Sequence, residues 1–237
     1  MGSRPLGHLL VVTALLVGIT TLSPLSTASA ACGAEQTTFT YRSGSSAGSM
    51  GTVYVYDQYD DPACSLTRTQ TVFMRLSPDY TSFVEEGTRS YASDPGRFRI
   101  FFEYRDFPGG IVPIEGSGRY SDGQYMSLFV APYSAYNYTW KGGYHLGSSQ
   151  SNWTVFGVSP PMVANSGLAE SEVARFGNSS ARTYHTSLKY RPATGGWFDW
   201  TSLACDPNVI HVSDWDAIKL SNTAWRTDQQ SPPPGDC

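Results

Sequence analysis

The sequence predicts an all-β protein, an antiparallel two-sheet β-sandwich of the jelly-roll or concanavalin-like kind. Its 237 residues suit one domain, because sandwiches of roughly this length are often undivided. Aromatic residues make up 14% of the chain, and 15 Tyr and 23 Gly are typical of many strands joined by turns. Apolar and polar residues also alternate in many short segments, which predicts antiparallel strands stacked as two sheets.

The alternating segments follow one another along most of the chain, with turn residues between them. Segment 37–42, TTFTYR, places Phe39 and Tyr41 on one face of a strand. The later strand-like segments are GTVYVYD, TVFMRL, RFRIFFEY, QYMSLFVA, YNYTW, NWTVFGV, ESEVARF and TSLKY, and turns such as FPGG, SDG and KGG separate them.

Helix is predicted only near the C-terminus. The best candidate is SDWDAIKL at 213–220, with Ser213 at the N-cap position. We therefore expect at most one short helix, a sandwich domain over 31–220, and a Pro-rich tail over 221–237 that Cys237 ties back.

Residues 1–30 have the pattern of a secretory signal peptide. Arg4 precedes a mostly apolar stretch over 9–22, and Ala-Ser-Ala at 28–30 fits the cleavage site. The apolar stretch is shorter than the ~20 residues of a membrane-spanning helix. We therefore expect a secreted, extracellular protein without membrane attachment after cleavage.

Four cysteines follow this segment: Cys32, Cys64, Cys205 and Cys237. An even number in an exported chain predicts two disulfides, with three connectivities to choose from. Because the first two and the last two are equally spaced, we favour Cys32–Cys64 and Cys205–Cys237. The nested pairing, Cys32–Cys237 with Cys64–Cys205, stays open. No spacing suits zinc, so their role is structural.

The formal net charge of −4 argues against two classes of partner. A mildly acidic chain has no basic surface for nucleic acid and no polybasic stretch for anionic lipid. The sequence predicts no cofactor and leaves the oligomeric state open.

Carboxylates at alternate strand positions are the main catalytic candidates. Glu170 and Glu172 share one face if their segment is a strand, and two carboxyls can divide acid and base roles in hydrolysis. The E-x-D-x-E pattern of some jelly-roll glucanases is broken here, because its third position is Ala174. Glu85 and Glu103 are the other candidates. A glycosidase and a carboxyl-dependent, glutamic-peptidase-like enzyme both stay open.

An Asp-rich turn offers the weak candidates for a metal site. Asp57, Asp60 and Asp61 lie close together in DQYDDPAC, and Ca²⁺ prefers oxygen ligands of this kind. Such turns are more often structural than metal-binding, so the sequence favours no metal.

Aromatic residues supply the candidate ligand-binding surface. In a strand, Tyr136, Tyr138 and Trp140 alternate onto one face, where flat rings could stack on sugars of a polysaccharide or cell-surface glycan. The same row also fits an ordinary sandwich core.

The segments YTSFVEEG, FRIFFEYRD, NWTVFG, AESEVARFGNSS and SLKYRPATGGWFDW carry a resemblance to known proteins. From about residue 70 to residue 204 the chain resembles a group of small secreted proteins of high-GC Gram-positive bacteria. It is also similar in overall look to concanavalin-like lectin and glucanase jelly rolls and to neprosin-like sandwiches. The resemblance implies a fold and a compartment and transfers no catalytic residue.

Three functional hypotheses remain from the sequence. The first is a non-catalytic extracellular binding domain that contacts its ligand through the three aromatic residues, with Glu170 and Glu172 as polar groups. The second is a secreted hydrolase that pairs Glu170 or Glu172 with Glu103 or Glu85. The third is a structural secreted protein without a small ligand.

Overall fold

The computed structural model describes residues 32, 35–134, 137–180, 182–205 and 216–228. Its regular elements are all strands, which confirms the predicted fold class. In chain order they are β1 (Glu35–Ser46), β2 (Ser49–Val55), β3 (Leu66–Arg75), β4 (Phe83–Tyr91), β5 (Arg97–Arg105), β6 (Ile111–Glu115), β7 (Tyr120–Ser121), β8 (Gln124–Ser134), β9 (Thr139–Leu146), β10 (Thr154–Val158), β11 (Gly167–Phe176), β12 (Thr183–Tyr190), β13 (Phe198–Asp199), β14 (Ala204–Cys205), β15 (Asp216–Ser221) and β16 (Ala224–Asp228).

The strands form two stacked sheets whose ladders are antiparallel. The first sheet has the order β14-β1-β11-β3-β4-β5-β6, with β7 also paired to β5. The second has the order β10-β9-β8-β2-β12-β16-β15, with β13 also paired to β12. Each sheet therefore has one face toward the shared core and one outer face.

The core between the sheets depends on a close approach at two glycines. Gly142 on β9 and Gly157 on β10 are register partners, and the Phe102 ring of β5 packs where their Cβ atoms would lie. Two residues without side chains thus make room for a bulky ring from the opposite sheet. Other fully buried members of this core are Met74, Val84, Val130, Trp140, Ala169, Leu188 and Trp225.

The predicted helix over 213–220 is wrong in the part that the structure describes. Asp216–Ser221 is strand β15, and it forms a hairpin with β16. Trp225 of β16 is fully buried, and β16 also pairs with β12, so the hairpin completes the second sheet. The sandwich therefore extends past the predicted boundary at residue 220.

One predicted disulfide is confirmed. Cys32 bonds to Cys64, with their Cα atoms 4.6 Å apart, and this pairing excludes the nested alternative. Cys237, the predicted partner of Cys205, lies outside the described residues, as does the predicted signal peptide over 1–30. Among the described residues, no helix is long and apolar enough to span a membrane.

Candidate active site

The outer face of the first sheet carries an open groove of about 370 Å³, which we call the acidic groove. It is bounded by strands β1, β11, β3, β4, β5 and β6. Its lining residues are Glu35, Thr37, Phe39, Phe73, Tyr80, Phe83, Glu85, Glu103, Ile111 and Glu172. Four carboxyl groups therefore meet on a surface that is otherwise largely aromatic.

The strand register places two of these carboxyls directly opposite each other and a third two strands away on the same face. Glu85 of β4 lies directly opposite Glu103 of β5. Glu172 of β11 lies opposite Thr71 of β3, the strand between β11 and β4. Only 6% to 9% of each of these three glutamates is exposed, so the carboxyls touch solvent but are largely withdrawn from it.

The charge of Glu103 is held by a neighbouring cation. Arg89 of β4 forms an ion pair with Glu103, and its guanidinium lies 3.7 Å from the centroid of the Phe101 ring. Gly87 lies between Arg89 and Glu85 on this face, and a Cβ there would come within 2.8 Å of the Phe101 ring. The absence of a side chain at Gly87 therefore leaves room for the ring that supports Arg89.

The electrostatics favour protons on the other carboxyls. Burial raises the pKa of Glu85 well above its usual range, and the charge of Glu103, to which Glu85 is hydrogen-bonded, raises it further, whereas Arg89 lowers it. Burial also raises the pKa of Glu172, reinforced by Glu85 and then by Glu35. The pKa of Glu35 is raised as well, by burial and by Glu103. Like charges this close disfavour joint ionisation, so the groove holds protonated and ionised carboxyls together.

Glu170 takes a different place from the other predicted catalytic residues. It is fully buried and forms an ion pair of 2.8 Å with Arg75, whose guanidinium lies 4.4 Å from the centroid of the Tyr80 ring. Glu170 does not line the acidic groove. Of the predicted set, the structure therefore brings together Glu85, Glu103 and Glu172, and Glu170 supports the strand beside them.

The predicted aromatic platform is not formed by Tyr138 and Trp140. Tyr138 lies in the turn before β9 with a left-handed φ of 55°, and its ring is exposed. Trp140 is fully buried, and its indole N–H donates to the carbonyl of Ala164 at 2.9 Å. The turn breaks the alternation on which the prediction rested, and Tyr136 lies outside the described residues.

Two aspartates of the predicted weak calcium site have separate structural roles, and the third, Asp57, is exposed. Asp60 accepts a hydrogen bond from Thr67 and lies 3.5 Å from the Arg68 guanidinium. Asp61 accepts hydrogen bonds from the backbone N–H groups of Asn178 and Ala63, which lower its pKa. Among the described residues, no cluster of three potential metal ligands occurs.

A serine–histidine pair also occurs, but it lies between the sheets. Ser171 and His185 are hydrogen-bonded and fully buried, and the Trp225 indole donates to the same serine hydroxyl at 3.3 Å. Burial lowers the pKa of His185 to about 3. A substrate cannot reach this serine in the folded protein, so the pair belongs to the core.

One groove residue and one cation beside the groove escaped the sequence reasoning. Glu35 begins the first strand just after Cys32, and Arg89 lies four residues after Glu85. Because residues an even number apart in a strand share a face, the spacing of four between Glu85 and Arg89 could have indicated that they lie on the same side of β4. Glu35 gave none, because its position opposite Phe176 on β11 depends on pairing between distant segments.

Comparisons with solved structures identify relatives in fold. The chain superimposes on scytalido-glutamic peptidase bound to a transition-state analogue inhibitor, with a TM-score of 0.59 and 13% identity over 82% of this chain and 97% of that one. SCP-B, a member of the eqolisin family of peptidases in complex with the tripeptide Ala-Ile-His, matches with a TM-score of 0.56 and 12% identity over the same shares. No protein-family model matches the chain, and neither does any curated protein sequence. At this level of identity the likeness establishes a shared β-sandwich fold.

Proposed function

We propose that the protein is a peptide hydrolase whose own carboxyl groups perform the catalysis. Its catalytic residues are Glu85, Glu103 and Glu172. The observation that carries this proposal is the meeting of these three largely buried carboxyls in one open groove, with protons favoured on two of them. Strongly perturbed carboxyls that gather in a cleft are characteristic of acid–base catalysis.

A peptide is the substrate that best suits the remaining surface. Aromatic and aliphatic side chains surround the carboxyls and can take the apolar side chains of an extended peptide. The two peptidases with the same fold are a glutamic peptidase holding a transition-state analogue and an eqolisin holding a tripeptide, which supports the same class.

The three carboxyls can divide the steps of amide hydrolysis. Glu103, which is ion-paired with Arg89, accepts a proton from a water molecule as the water oxygen attacks the peptide carbonyl carbon. Protonated Glu172, on the other side of β3, donates a hydrogen bond to the oxygen that becomes negative in the tetrahedral intermediate. Glu85 then donates its proton to the leaving amine as the C–N bond breaks. Proton transfer from Glu103 to Glu85 through their hydrogen bond restores the starting state.

The structure favours hydrolysis over the other two hypotheses from the sequence. Of the predicted binding surface, Tyr138 lies in a turn and Trp140 in the core, whereas three of the four predicted carboxyls share one groove. A protein with a purely structural role has no need of largely buried carboxyls in an open groove, because their burial costs stability. Secretion remains part of the proposal, and the Cys32–Cys64 disulfide is compatible with it.

The test is a cleavage assay with the purified protein. A mixture of peptides and a denatured protein are incubated at about pH 3 to 7, because Glu85 and Glu172 must be protonated to act as acids and their raised pKa values extend the protonated form above the usual range. Mass spectrometry identifies the fragments. We expect cleavage that decreases as the pH rises through the raised pKa values of Glu85 and Glu172. The substitution Glu172→Gln should lower kcat/KM by about 10²- to 10³-fold.

The matched control is Glu115→Gln. Glu115 lies on β6 of the same sheet, outside the groove, and pairs with Arg99 at 2.8 Å on the exposed surface. Its replacement should leave kcat/KM unchanged. Absence of peptide cleavage across the pH range, or equal activity of the Glu172→Gln and Glu115→Gln variants, would contradict the proposal.

A further inference from the structure

A second groove lies on the outer face of the other sheet. Its volume is about 280 Å³, and we call it the tryptophan groove. Its floor includes Phe129 of β8 and its strand partner Met50 of β2. Trp153, just before β10, and Trp197, in the loop after β12, also line it. Neither tryptophan belongs to the aromatic row noted in the sequence.

The two indoles stand as walls on the phenylalanine floor. The ring centroid of Trp153 lies 4.9 Å from that of Phe129 with an interplanar angle of 70°. The centroid of Trp197 lies 6.4 Å from that of Phe129 at 74°. Both tryptophans are partly exposed, so each can present part of an apolar surface to a bound molecule.

The wall that carries Trp197 is fixed to the sheet. Arg191 and the segment before β2 are joined by two backbone hydrogen bonds, from the N–H of Ala47 to the carbonyl of Arg191 at 2.5 Å and from the N–H of Arg191 to the carbonyl of Gly48 at 3.1 Å. A Cβ at Gly48 would lie only 3.0 Å from the Trp197 ring, so this glycine allows the indole to approach. The site is therefore built before any ligand arrives.

Two cations complete the lining. Lys141 of β9, the strand partner of Ala131, and Arg191 both face the groove, and no carboxylate contributes to the lining. Within the part of the chain that the structure describes, neither forms an ion pair. In a chain with a net charge of −4, a pocket with two basic groups and no acid favours an anionic ligand.

We propose that the tryptophan groove binds an acidic sugar unit, such as a uronic-acid residue of a polysaccharide. The apolar faces of the sugar ring stack on Trp153 and Trp197, and its carboxylate pairs with Lys141 or Arg191. The volume is at the small end of ligand pockets, so the groove takes about one ring of a longer chain.

The strand pairing disfavours a peptide in this groove. β2, β8 and β9 are each paired on both sides, so the main-chain groups of the floor are already hydrogen-bonded. An extended peptide usually gains affinity from such groups at a free sheet edge. A sugar ring needs side-chain faces and charges, which this groove supplies.

The experiment measures affinity of the purified protein for oligogalacturonate, with the methyl-esterified oligomer as the uncharged counterpart. Titration calorimetry should show binding of the acidic oligomer and at least about tenfold weaker binding of the ester. Trp153→Ala should weaken binding of both oligomers, and Trp153→Phe should weaken it less. Lys141→Met combined with Arg191→Met should reduce the affinity for the acid to that for the ester.

Folding of each variant is checked by thermal melting, and Glu172→Gln serves as the control from the acidic groove. Unchanged oligogalacturonate binding by Glu172→Gln would show that the site is independent of the proposed hydrolase. Equal affinity for acid and ester would overturn the proposal. So would absence of binding to oligogalacturonate, alginate and hyaluronan, or tighter binding of an acidic aromatic peptide.

Discussion

The outer faces of the two sheets are built alike but carry opposite charges. The acidic groove combines aromatic rings with four carboxyl groups, whereas the tryptophan groove combines aromatic rings with two cations. Stacked sheets share only their inner faces, which pack ~10 Å apart. One sandwich can therefore hold two sites of opposite charge on its two outer faces, one suited to proton transfer and the other to holding an anion.

The sharpest test of the acidic side is the combination of Glu85→Gln with Glu103→Gln. Each single substitution should lower kcat/KM by about 10²- to 10³-fold, because the two carboxyls hold one proton between them. The kcat/KM of the double variant should be no lower than that of the less active single variant, since residues that act as a unit have non-additive effects. Peptide-cleavage kinetics measure all three. Losses that multiply would indicate that the two carboxyls act separately.

Replacement of one cation on each face compares the grooves directly. Arg89 lowers the pKa of Glu85, so Arg89→Met should raise that pKa and move the alkaline limb of the kcat/KM profile by about one pH unit to higher pH. Lys141→Met, on the other sheet, should leave the limb where it is. A pH series of initial rates measures both, and equal shifts would show that the two faces are electrostatically coupled.

The pH dependence of stability should also differ between the grooves. The pKa values of Glu85 and Glu172 are raised in the folded state. Their contribution to the free energy of unfolding is therefore present below the unfolded pKa of 4.5 and is lost as the pH rises through the folded pKa values. The free energy of unfolding should therefore fall with pH in this range. Combining Glu85→Gln with Glu172→Gln should reduce the slope of this fall by up to about 1.4 kcal/mol per pH unit for each group. Denaturant unfolding at several pH values measures it, and an unaltered slope would contradict the assigned protonation.

His185 supplies an opposite dependence that must be separated from this one. The pKa of His185 is about 3 in the folded protein, below its usual value of 6.5. Its contribution to the free energy of unfolding is therefore present above pH 6.5 and is lost as the pH falls toward 3. The carboxyl variants should leave this acid-side loss in place.

The smallest effect is expected from the tryptophan groove. Lys141 and Arg191 form no ion pair among the described residues, so Lys141→Met with Arg191→Met should change the free energy of unfolding by less than about 0.5 kcal/mol. Thermal melting provides the measurement. A larger loss would mean that these cations stabilise the fold, and the binding data for this variant would then require a correction for stability.

The sequence predicted the class of fold but not the contacts between distant strands. Alternation in segments such as RFRIFFEY indicated strands, and it placed Glu103 and Phe102 on opposite faces of the same strand. It could not show that Glu85 lies directly opposite Glu103, because register depends on pairing between strands and on the turn that joins them. The next residue, Glu86, is fully buried beside Gly142 on the core side of the same strand.

Errors arose where local pattern competed with tertiary packing. SDWDAIKL has a helical N-cap pattern, but burial of Trp225 and pairing with β12 stabilise a hairpin there. The alternation of Tyr138 with Trp140 ended at a turn that the residue types did not reveal. The tryptophan groove was missed because Trp153 and Trp197 lie far apart in the chain and meet only through Phe129.

The paired glycines on β9 and β10 of the second sheet affect how strand β5 of the first sheet packs. Phe102 fills the space above Gly142 and Gly157, and the next residue along the same strand is Glu103. A methyl group at either glycine would overlap the Phe102 ring, so the packing of β5, which carries Glu103 on its other face, would have to change. The position of a groove carboxyl therefore depends in part on two glycines of the opposite sheet, which lie outside the groove.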